Sequence, residues 1–379
     1  MRKRLLLLFS LLIISQGFAQ NPGTTGSYGL FHTHEARVLM PGQWDFWLNT
    51  NFYTKLGEYL GQAPADFSAA NYWVVAGNTS ITYGIIDNLD ATVALRLYQD
   101  THHTNIANVP GDVFLTIKGG NFNYQYGRFN TGVLATFRFP TGEVHNYPLA
   151  EYASGAVEYG FLATFSYYKN PYLPSQGLGI HFNIGWWNHN ENGKELELTN
   201  GTTRIAGFSS SELQIMLGTA IPLGLFKFGL ELSGGAYTKI PEPFVYSAED
   251  YAFLTPSLSY SPYNWISMDL GIDLRVSPGD RQRTTDVPDF SDRLDLPKNY
   301  PPWKAQLGMT FSILPAGAKK QYGGAVDNPE IKRRLNFYEK VAEEKEKAKE
   351  IEKEIDRLRK IRETADDEIE DIRKELEED

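Results

Sequence analysis

Two short groups of side chains have residue types that could bind a metal ion. In His32-Thr-His34-Glu35 the histidines alternate, so a strand would point both imidazoles to one side. Zinc sites use three or four protein ligands, and only two imidazoles and one carboxylate are present. The segment 286–298 instead spaces its acids every three residues, at Asp286, Asp289, Asp292 and Asp295. Oxygen ligands suit Ca²⁺, but the spacing of an EF-hand loop is missing. The pair His102-His103 lies in a predicted loop. We therefore expect no metal site and no cofactor.

The sequence offers little for covalent catalysis. The chain contains no cysteine, which excludes disulfides, thiolate metal sites and a cysteine nucleophile. No serine, histidine and aspartate arrangement stands out, and no Walker or dinucleotide-binding motif occurs. The net charge of −10 argues against nucleic acid as a partner. We expect a protein that is not an enzyme.

Charged residues that alternate with apolar ones are the most informative chemical feature. In WISMDLGIDLRVS (265–277) every second residue from Ile266 is apolar, and Asp269, Asp273 and Arg275 lie between them. On a strand, this period of two separates an apolar face from a charged one. The same reasoning assigns an inward, lumen-lining position to Asp45, Asp90, Arg96, Lys118, Arg138, Glu158, Lys227, Glu231, Asp269, Asp273, Arg275 and Lys304. Such charges either line an aqueous path and set its selectivity, or pair with each other and close the lumen.

About twelve segments could position these charges. The alternating segments are 43–55, 72–86, 89–99, 111–122, 126–140, 156–169, 177–188, 211–223, 225–239, 251–262, 265–277 and 302–314. Each is long enough for a strand that crosses a bilayer at a tilt. Longer and shorter connections alternate along the chain, as in a barrel of antiparallel hairpins. The pattern predicts an all-β, antiparallel transmembrane β-barrel of about 12 strands, with a secreted soluble β protein as the alternative.

The two ends of the chain differ in composition from the barrel region. Residues 1–19 have the basic start, apolar core and small residues before the cut that are typical of a signal peptide. We expect an N-terminal periplasmic segment at 20–42, the barrel at 43–314 and a linker at 315–327. Residues 328–379 are rich in Glu, Lys, Arg, Ile and Leu, and predict a long periplasmic α-helix.

The predicted helix has a weak apolar seam. Apolar or small residues recur three and four apart at Ala348, Ile351, Ile355, Leu358, Ala365, Ile369, Ile372 and Leu376, and Arg362 interrupts the series. This spacing indicates a coiled coil that self-associates or binds a periplasmic partner. A single solvated helix held by Glu–Lys pairs is the alternative.

A short central stretch resembles a known family. Gly111-Asp112 at a strand start, Lys118 at the end of that strand and Pro140-Thr141-Gly142 after the next one are similar to the outer-membrane family named for phenol-degradation meta-pathway gene clusters. That resemblance implies a transporter-like barrel for hydrophobic small molecules. The stretch GLFHTHEARVLMPGQWDFWLNTNFYTK (29–55) and the barrel-plus-helix layout also resemble the barrel regions of OmpA-like proteins.

The sequence thus predicts a protein of the outer membrane of a Gram-negative-type bacterium. Its partners would be outer-membrane lipid and, during biogenesis, the barrel-assembly machinery. The expected function is passive passage of small solutes through a narrow lumen of mixed charge. The alternative is a structural barrel that acts through its periplasmic coiled coil.

Overall fold

The computed structural model describes most of the barrel region and a small part of the C-terminal region. The described residues are 26–57, 70–101, 106–146, 150–172, 174–197, 202–246, 248–263, 265–278, 300–314, 351, 354–362 and 364–365. The chain divides into two compact units, Met1–Pro315 and Ala316–Asp379.

The first unit is built around one antiparallel sheet that closes on itself. Its strands, with a separate two-stranded hairpin formed by β9 and β10, are β1 (Trp44–Gly57), β2 (Ala70–Ile86), β3 (Leu89–Thr101), β4 (Ile106–Asn108), β5 (Val113–Tyr124), β6 (Phe129–Phe139), β7 (Glu158–Tyr168), β8 (Gly179–Asn188), β9 (Glu195–Glu197), β10 (Thr203–Ile205), β11 (Ser211–Leu223), β12 (Phe226–Lys239), β13 (Tyr251–Tyr263), β14 (Ile266–Arg275) and β15 (Trp303–Ile313). The 13-stranded sheet contains twelve long strands and the three-residue β4. Pairing of β1 with β15 and of β2 with β3 completes the ring. The predicted antiparallel barrel of about 12 strands is confirmed.

The two faces of the barrel wall differ as the alternation predicts. In β14, Met268, Leu270 and Ile272 point outwards and are exposed, whereas Asp269 and Asp273 point inwards and are buried. The outward apolar side chains recur on every long strand, so the exterior carries an apolar surface that water would not favour. A continuous outward apolar band is the surface of a membrane-spanning barrel.

Short and long connections emerge at opposite ends of the barrel. At one end β2 turns into β3 through Asp87-Asn88, β5 into β6 through the 3-10 turn Gln125–Gly127, and β11 into β12 through Gly224. Gly224 has a φ of +66°, a conformation that glycine adopts without steric cost. At the other end the connections are longer, including 140–157, 189–210 and 240–250.

Residues 26–42, which we call the plug segment, lie inside the barrel. The segment turns back on itself at Leu30–Thr33, where Gly29 bridges to His34 and the Leu30 amide donates to the Thr33 carbonyl. Its side chains and amides contact inward-facing residues of the wall. This placement differs from the periplasmic segment expected at 20–42. The reason is physical: the barrel encloses buried carboxylates that need donors, and the backbone of this segment supplies them.

The longer connections fold together over their end of the lumen, and we call them the cap. Tyr152, Leu196, Ala206 and Val245 form a buried apolar cluster with Phe244 packed against it. The Asn146 side chain accepts from the Tyr246 amide at 2.9 Å, which ties two of these loops together. The cap and the plug segment therefore enclose the middle of the lumen from two sides.

The second unit is described only in part. Residues 354–362 are helical, and all the side chains described there are exposed. The long coiled coil predicted over 328–379 is not shown beyond this helix. None of the described helical residues belongs to a helix with the length and hydropathy of a membrane span. The predicted signal peptide (1–19), the linker (315–327), His102-His103 and the aspartate series at 286–298 lie outside the described residues.

Candidate functional site

The tip of the plug segment is held by one carboxylate of the wall. Glu231 on β12 accepts hydrogen bonds from three consecutive amides: Phe31 at 3.0 Å, His32 at 2.8 Å and Thr33 at 2.7 Å. The Glu231 side chain is fully buried. A buried carboxylate needs such compensation, and consecutive amides at a turn form a concave anion site. Glu231 therefore fixes the turn of the plug segment to the barrel wall.

A second carboxylate, Asp273 on β14, connects the plug tip to three strands. The His32 Nε2 atom lies 2.8 Å from Asp273 Oδ1. Thr255 and Gln306 each donate to Asp273 at 2.8 Å, and Lys304 Nζ lies 3.6 Å from its Oδ2. Because Asp273 is buried and bonded on both oxygens, it holds the His32 imidazole in one position.

The returning part of the plug segment is bonded along its length. The Asn183 amide both accepts from the His34 N–H at 2.7 Å and donates to the His34 carbonyl at 2.8 Å. Ser166 accepts from the Ala36 amide at 2.8 Å, and Asp90 accepts from the Leu39 amide at 3.0 Å. Side chains of the wall therefore bond to the backbone of the plug segment, as the backbone of a neighbouring strand would in a sheet.

Further charged side chains, both in the plug segment and in the wall around it, are also paired. Glu35 accepts from Arg37 at 2.6 Å and from the Tyr168 hydroxyl at 2.8 Å. Ser27 donates to Asp90 at 2.6 Å and accepts from Lys118 at 3.1 Å. His32, His34 and Glu35 contact different residues: His32 bonds to Asp273, the His34 backbone to Asn183, and Glu35 to Arg37. Among the described residues, no group of three His, Asp or Glu side chains could hold a metal ion.

Glycines of the wall make room for the apolar side chains of the plug segment. A methyl group at Gly271 would lie 2.7 Å from the Phe31 ring, and one at Gly218 would lie 3.0 Å from Leu30 Cδ1. A methyl group at Gly120 would collide with the Ala36 carbonyl oxygen. These contacts are closer than van der Waals separation, so a larger side chain would press on the segment and weaken its binding. The wall is shaped to receive it.

Five residues of the family-like motif, Gly111, Asp112, Pro140, Thr141 and Gly142, lie together at the cap end of β5 and β6, whereas Lys118 lies further along β5 and donates to Ser27. Asp112 accepts from Arg138 Nε at 2.7 Å and from the Gly142 amide at 3.1 Å, and Thr141 donates to the Gly111 carbonyl at 2.7 Å. Pro140 lies between β6 and Thr141. The motif therefore ties the start of the first long cap loop to the neighbouring strand.

Arg138 continues this network into the cap. Its NH1 donates to the Tyr152 carbonyl at 2.9 Å and lies 3.6 Å from Glu158. Glu158 also accepts from the Ser154 amide at 2.7 Å and contacts His189 Nδ1 at 3.2 Å. Although burial disfavours the imidazolium, the Glu158 carboxylate raises the pKa of His189 above its ordinary value. The cap is thus bonded to the wall through charged groups.

A cavity of about 200 Å³ lies between the plug tip and the cap. Its lining includes His32 and His34 of the plug segment and Glu151 and Tyr152 of the cap. The wall contributes charged and aromatic side chains, including Arg96, Phe114, Arg138, Glu212, Tyr251 and Lys304. The volume is below the usual range of about 300–1,000 Å³ for drug-sized ligand pockets, so its ligand would be small.

The structure divides the twelve predicted lumen residues between two levels. Asp45, Asp90, Lys118, Glu231 and Asp273 contact the plug segment or the residues next to it, while Lys227 and Asp269 interact electrostatically nearby. Arg96, Arg138, Glu158 and Lys304 lie around the cavity and cap, and Arg275 donates to the Tyr300 carbonyl. Eight of them are buried: Asp45, Asp90, Lys118, Arg138, Glu158, Glu231, Asp269 and Asp273.

Sequence reasoning missed the partners of these charges. The sequence alone does not place the plug segment inside the barrel. It also assigns no role to Asn183, which bonds to the His34 backbone, or to Glu212, which lines the cavity. One signal was present: the stretch GLFHTHEARVLM mixes apolar residues with two histidines and a Glu-Ala-Arg triplet, which is unusual for a solvated leader. Such a composition suits a segment that is enclosed on all sides by a polar wall.

Comparison with known proteins identifies no relative by sequence. No family model matches the chain, and no curated protein matches it. Among solved structures, the NanC porin is 10% identical with a TM-score of 0.41, covering 70% of this chain and 98% of that one. The "TodX deltaS2S3 mutant monoaromatic hydrocarbon channel" is 9% identical with a TM-score of 0.36, covering 73% and 92%. The outer membrane channel DcaP of Acinetobacter baumannii is 8% identical with a TM-score of 0.32, covering 72% and 96%. At such identities and TM-scores, these similarities carry no argument about the function of this chain.

Proposed function

We propose that this protein is an outer-membrane channel for small solutes, and that the structure represents its closed state. The observation that carries the proposal is the plug segment itself, bonded within a closed barrel by side chains that all belong to the lumen wall. A barrel whose only task is structural needs a filled lumen, but it does not need a cavity with polar and aromatic walls. The cavity above the plug supports passage or binding of a solute.

The charges of the wall support a lumen that works when the plug segment leaves. Glu231 would then face water instead of three amides, Asp273 would face water instead of the His32 imidazole, and an aqueous path lined by both signs of charge would open. Release replaces hydrogen bonds to the segment by hydrogen bonds to water, so each bond contributes only its net value of about 0.5–3 kcal/mol to the closed state. Displacement of the segment is therefore the step that separates the closed state from a conducting one.

A disulfide between the plug segment and the wall tests this proposal. The natural chain has no cysteine, so an introduced pair has no competitor. A Cβ atom at Gly218 would lie 3.0 Å from the Thr33 Cβ. A disulfide usually joins Cβ atoms about 3.5–4.5 Å apart, so a shift of a few tenths of an ångström would accommodate Thr33→Cys with Gly218→Cys.

Planar-bilayer conductance of the double variant gives the readout. We expect openings with dithiothreitol present and none after oxidation, while each single variant is unaffected by the oxidant. A variant from which residues 26–42 are deleted should conduct under both reducing and oxidising conditions. If the reduced double variant, the truncation and the wild type all fail to conduct although folded, the channel proposal is wrong.

The C-terminal helix favours a second candidate, a scaffolding role. Ile351, Ile355, Leu358 and Ile361 are all exposed, with spacings of three and four residues. An unpartnered apolar stripe on a helix is a surface for another helix. Deleting 328–379 separates the candidates: loss of envelope integrity with unchanged permeability favours the scaffold, and unchanged integrity with retained conductance favours the channel.

A further inference from the structure

One wall of the cavity combines carboxylates with aromatic rings. Glu212 lies at the start of β11, and Tyr237, Tyr251 and Tyr300 line the same cavity. The Tyr251 and Tyr300 rings lie 4.7 Å apart between centroids, and both tyrosines interact electrostatically with Glu212. Glu151 of the cap interacts with Glu212 as well. Two carboxylates and three tyrosines therefore surround one part of the cavity.

The cations of the cavity wall are already neutralised by acids. The ion pairs are Arg138–Asp112 at 2.7 Å, Arg138–Glu158 at 3.6 Å, Lys304–Asp273 at 3.6 Å and Arg96–Glu151 at 3.5 Å. In contrast, Glu212 accepts from the Gln214 amide and, within the part of the chain that the structure describes, forms no ion pair with a lysine or arginine; the basic group that faces it is the His189 imidazole. Three lysine and arginine side chains around the cavity are thus matched by the carboxylates of Asp112, Glu158, Asp273 and Glu151, and Glu212 is a further carboxylate.

Glu151 adds to this negative character because its pairing is loose. Its carboxylate lies 3.5 Å from Arg96, and 59% of its side chain is exposed. Glu151 belongs to the cap and interacts electrostatically with Arg96, Lys304 and Glu212. A carboxylate in that position can turn towards a ligand without breaking a close ion pair.

We infer that the cavity binds a small organic cation, with the carboxylates of Glu212 and Glu151 supplying charge and the faces of the tyrosines supplying cation–π contacts. The electron-rich faces of tyrosine rings attract a positive group within about 6 Å of the ring centroid. Glu212, which has no lysine or arginine partner, gains a permanent cation when such a ligand enters, so the cost of its burial falls. The cavity volume of about 200 Å³ restricts the ligand to one the size of a quaternary ammonium alcohol. This inference rests on the proposed channel function and names the class of its solute.

Binding of choline and of its uncharged isostere 3,3-dimethylbutan-1-ol to the full chain in nanodiscs tests the inference. The two probes have nearly the same shape, so the comparison isolates the positive charge. Titration calorimetry should show choline binding at least about tenfold more tightly than the alcohol, and no binding of acetate. Equal binding of choline and the alcohol, binding of acetate instead, or no binding of choline would each overturn the inference.

Matched variants assign the binding to this wall. Glu212→Gln keeps the shape of the side chain and should weaken choline binding about tenfold or more. Tyr251→Phe keeps the ring face and should bind nearly as the wild type, whereas Tyr251→Leu should bind several-fold more weakly. Undiminished binding by both Glu212→Gln and Tyr251→Leu would show that choline binds elsewhere, which also overturns the inference.

Failure of the inference and failure of the channel proposal give different results. Choline binding, together with no conductance in the reduced double variant or after deletion of residues 26–42, would support the cation site and refute the channel. Conductance with no preference for choline over its isostere would leave the channel standing and refute the cation site.

Discussion

Replacing Glu231 by glutamine should release the tip of the plug segment. The carboxylate accepts from the amides of Phe31, His32 and Thr33 at 3.0, 2.8 and 2.7 Å. A glutamine has one acceptor oxygen, and its amide group would face at least one of these donors with another donor. Glu231→Gln therefore removes one bond outright and turns the remaining ones from charged into neutral hydrogen bonds.

The size of the effect follows from those bonds. Hydrogen bonds to charged groups contribute about 1.5–3 kcal/mol each and neutral ones about 0.5–1.5 kcal/mol, and an unsatisfied buried donor costs about 1–3 kcal/mol. Two weakened bonds, at about 1–1.5 kcal/mol each, and one unsatisfied donor sum to about 3–6 kcal/mol. Bonds on one carboxylate are not additive, so we expect a loss near the lower end, about 3 kcal/mol. Since about 1.4 kcal/mol corresponds to a factor of ten, the population of the released segment should rise roughly 100-fold.

Hydrogen exchange measures this release directly. The amides of residues 31–33 exchange only when the plug tip leaves Glu231, so a peptide covering them should exchange roughly 100-fold faster in Glu231→Gln. Openings in bilayer recordings should become correspondingly more frequent. Glu195→Gln is the matched control, because Glu195 has an exposed side chain on β9 and the change in charge is the same. If exchange in a folded Glu231→Gln barrel equals that of the wild type, Glu231 does not hold the plug segment.

Three further substitutions test other parts of the structure. Gly271→Ala should press on Phe31, cost about 1–3 kcal/mol of plug binding and raise leak conductance. Gly77→Ala should not raise it, because a methyl group there meets nothing within 4 Å. Equal leak in both variants would contradict the close fit of the plug segment to the wall. Leu270→Arg places a charge on the outward face and should cost about 2–4 kcal/mol of barrel stability near the bilayer centre, measured by urea unfolding in liposomes; an unchanged midpoint would show that this face does not contact lipid. Arg138→Lys keeps the charge but loses the planar fork, so limited proteolysis should cut the cap loop at 150–156 faster than in the wild type, and an unchanged cleavage rate would rule out the Arg138 anchor.

The barrel wall was predictable because its signal is local. In β14 the alternation of Met268, Leu270 and Ile272 with Asp269 and Asp273 is visible within ten residues, and the two faces of a strand follow from it. The lengths of the connections then order the strands into hairpins, since short and long loops must alternate around an antiparallel barrel. Neither step needs information from distant parts of the chain.

The plug segment was not predictable by the same reasoning because its contacts are remote. Phe31 bonds to a residue 200 positions away, and His34 bonds to one 149 positions away. The described part of the segment forms isolated bridges and no regular strand, so it has no period that a pattern could detect. The cavity has the same origin, because Glu212 and Tyr300 come together only after the ring of strands has closed and the cap has folded.

The two interpretations of the wall charges, lining a path or locking it, describe two states of the same residues. A carboxylate such as Glu231 cannot remain buried without donors, so in the closed state it must bind either neighbouring cations or a segment rich in free amides. Lys227, on the same strand, interacts with Glu231 electrostatically, but no hydrogen bond between them is formed. The wall therefore leaves its acids available to an inserted backbone, which a wall of fully paired charges would not do.

The plug tip is also the floor of the cavity, so solute and plug segment are linked. His32 lines the cavity while bonding to Asp273, and Lys304 of the cavity wall pairs with the same carboxylate. Glu151, on the opposite side, interacts electrostatically with both His32 and Lys304. A cation that enters beside Glu151 would compete with His32 and Lys304 for electrostatic attraction to the Glu151 carboxylate, and would thereby weaken the closed arrangement. By linkage, any solute that binds the released state more tightly than the closed state shifts the plug segment outwards by that difference in affinity. Under the proposed channel function, a solute held beside the plug tip would promote opening of the barrel.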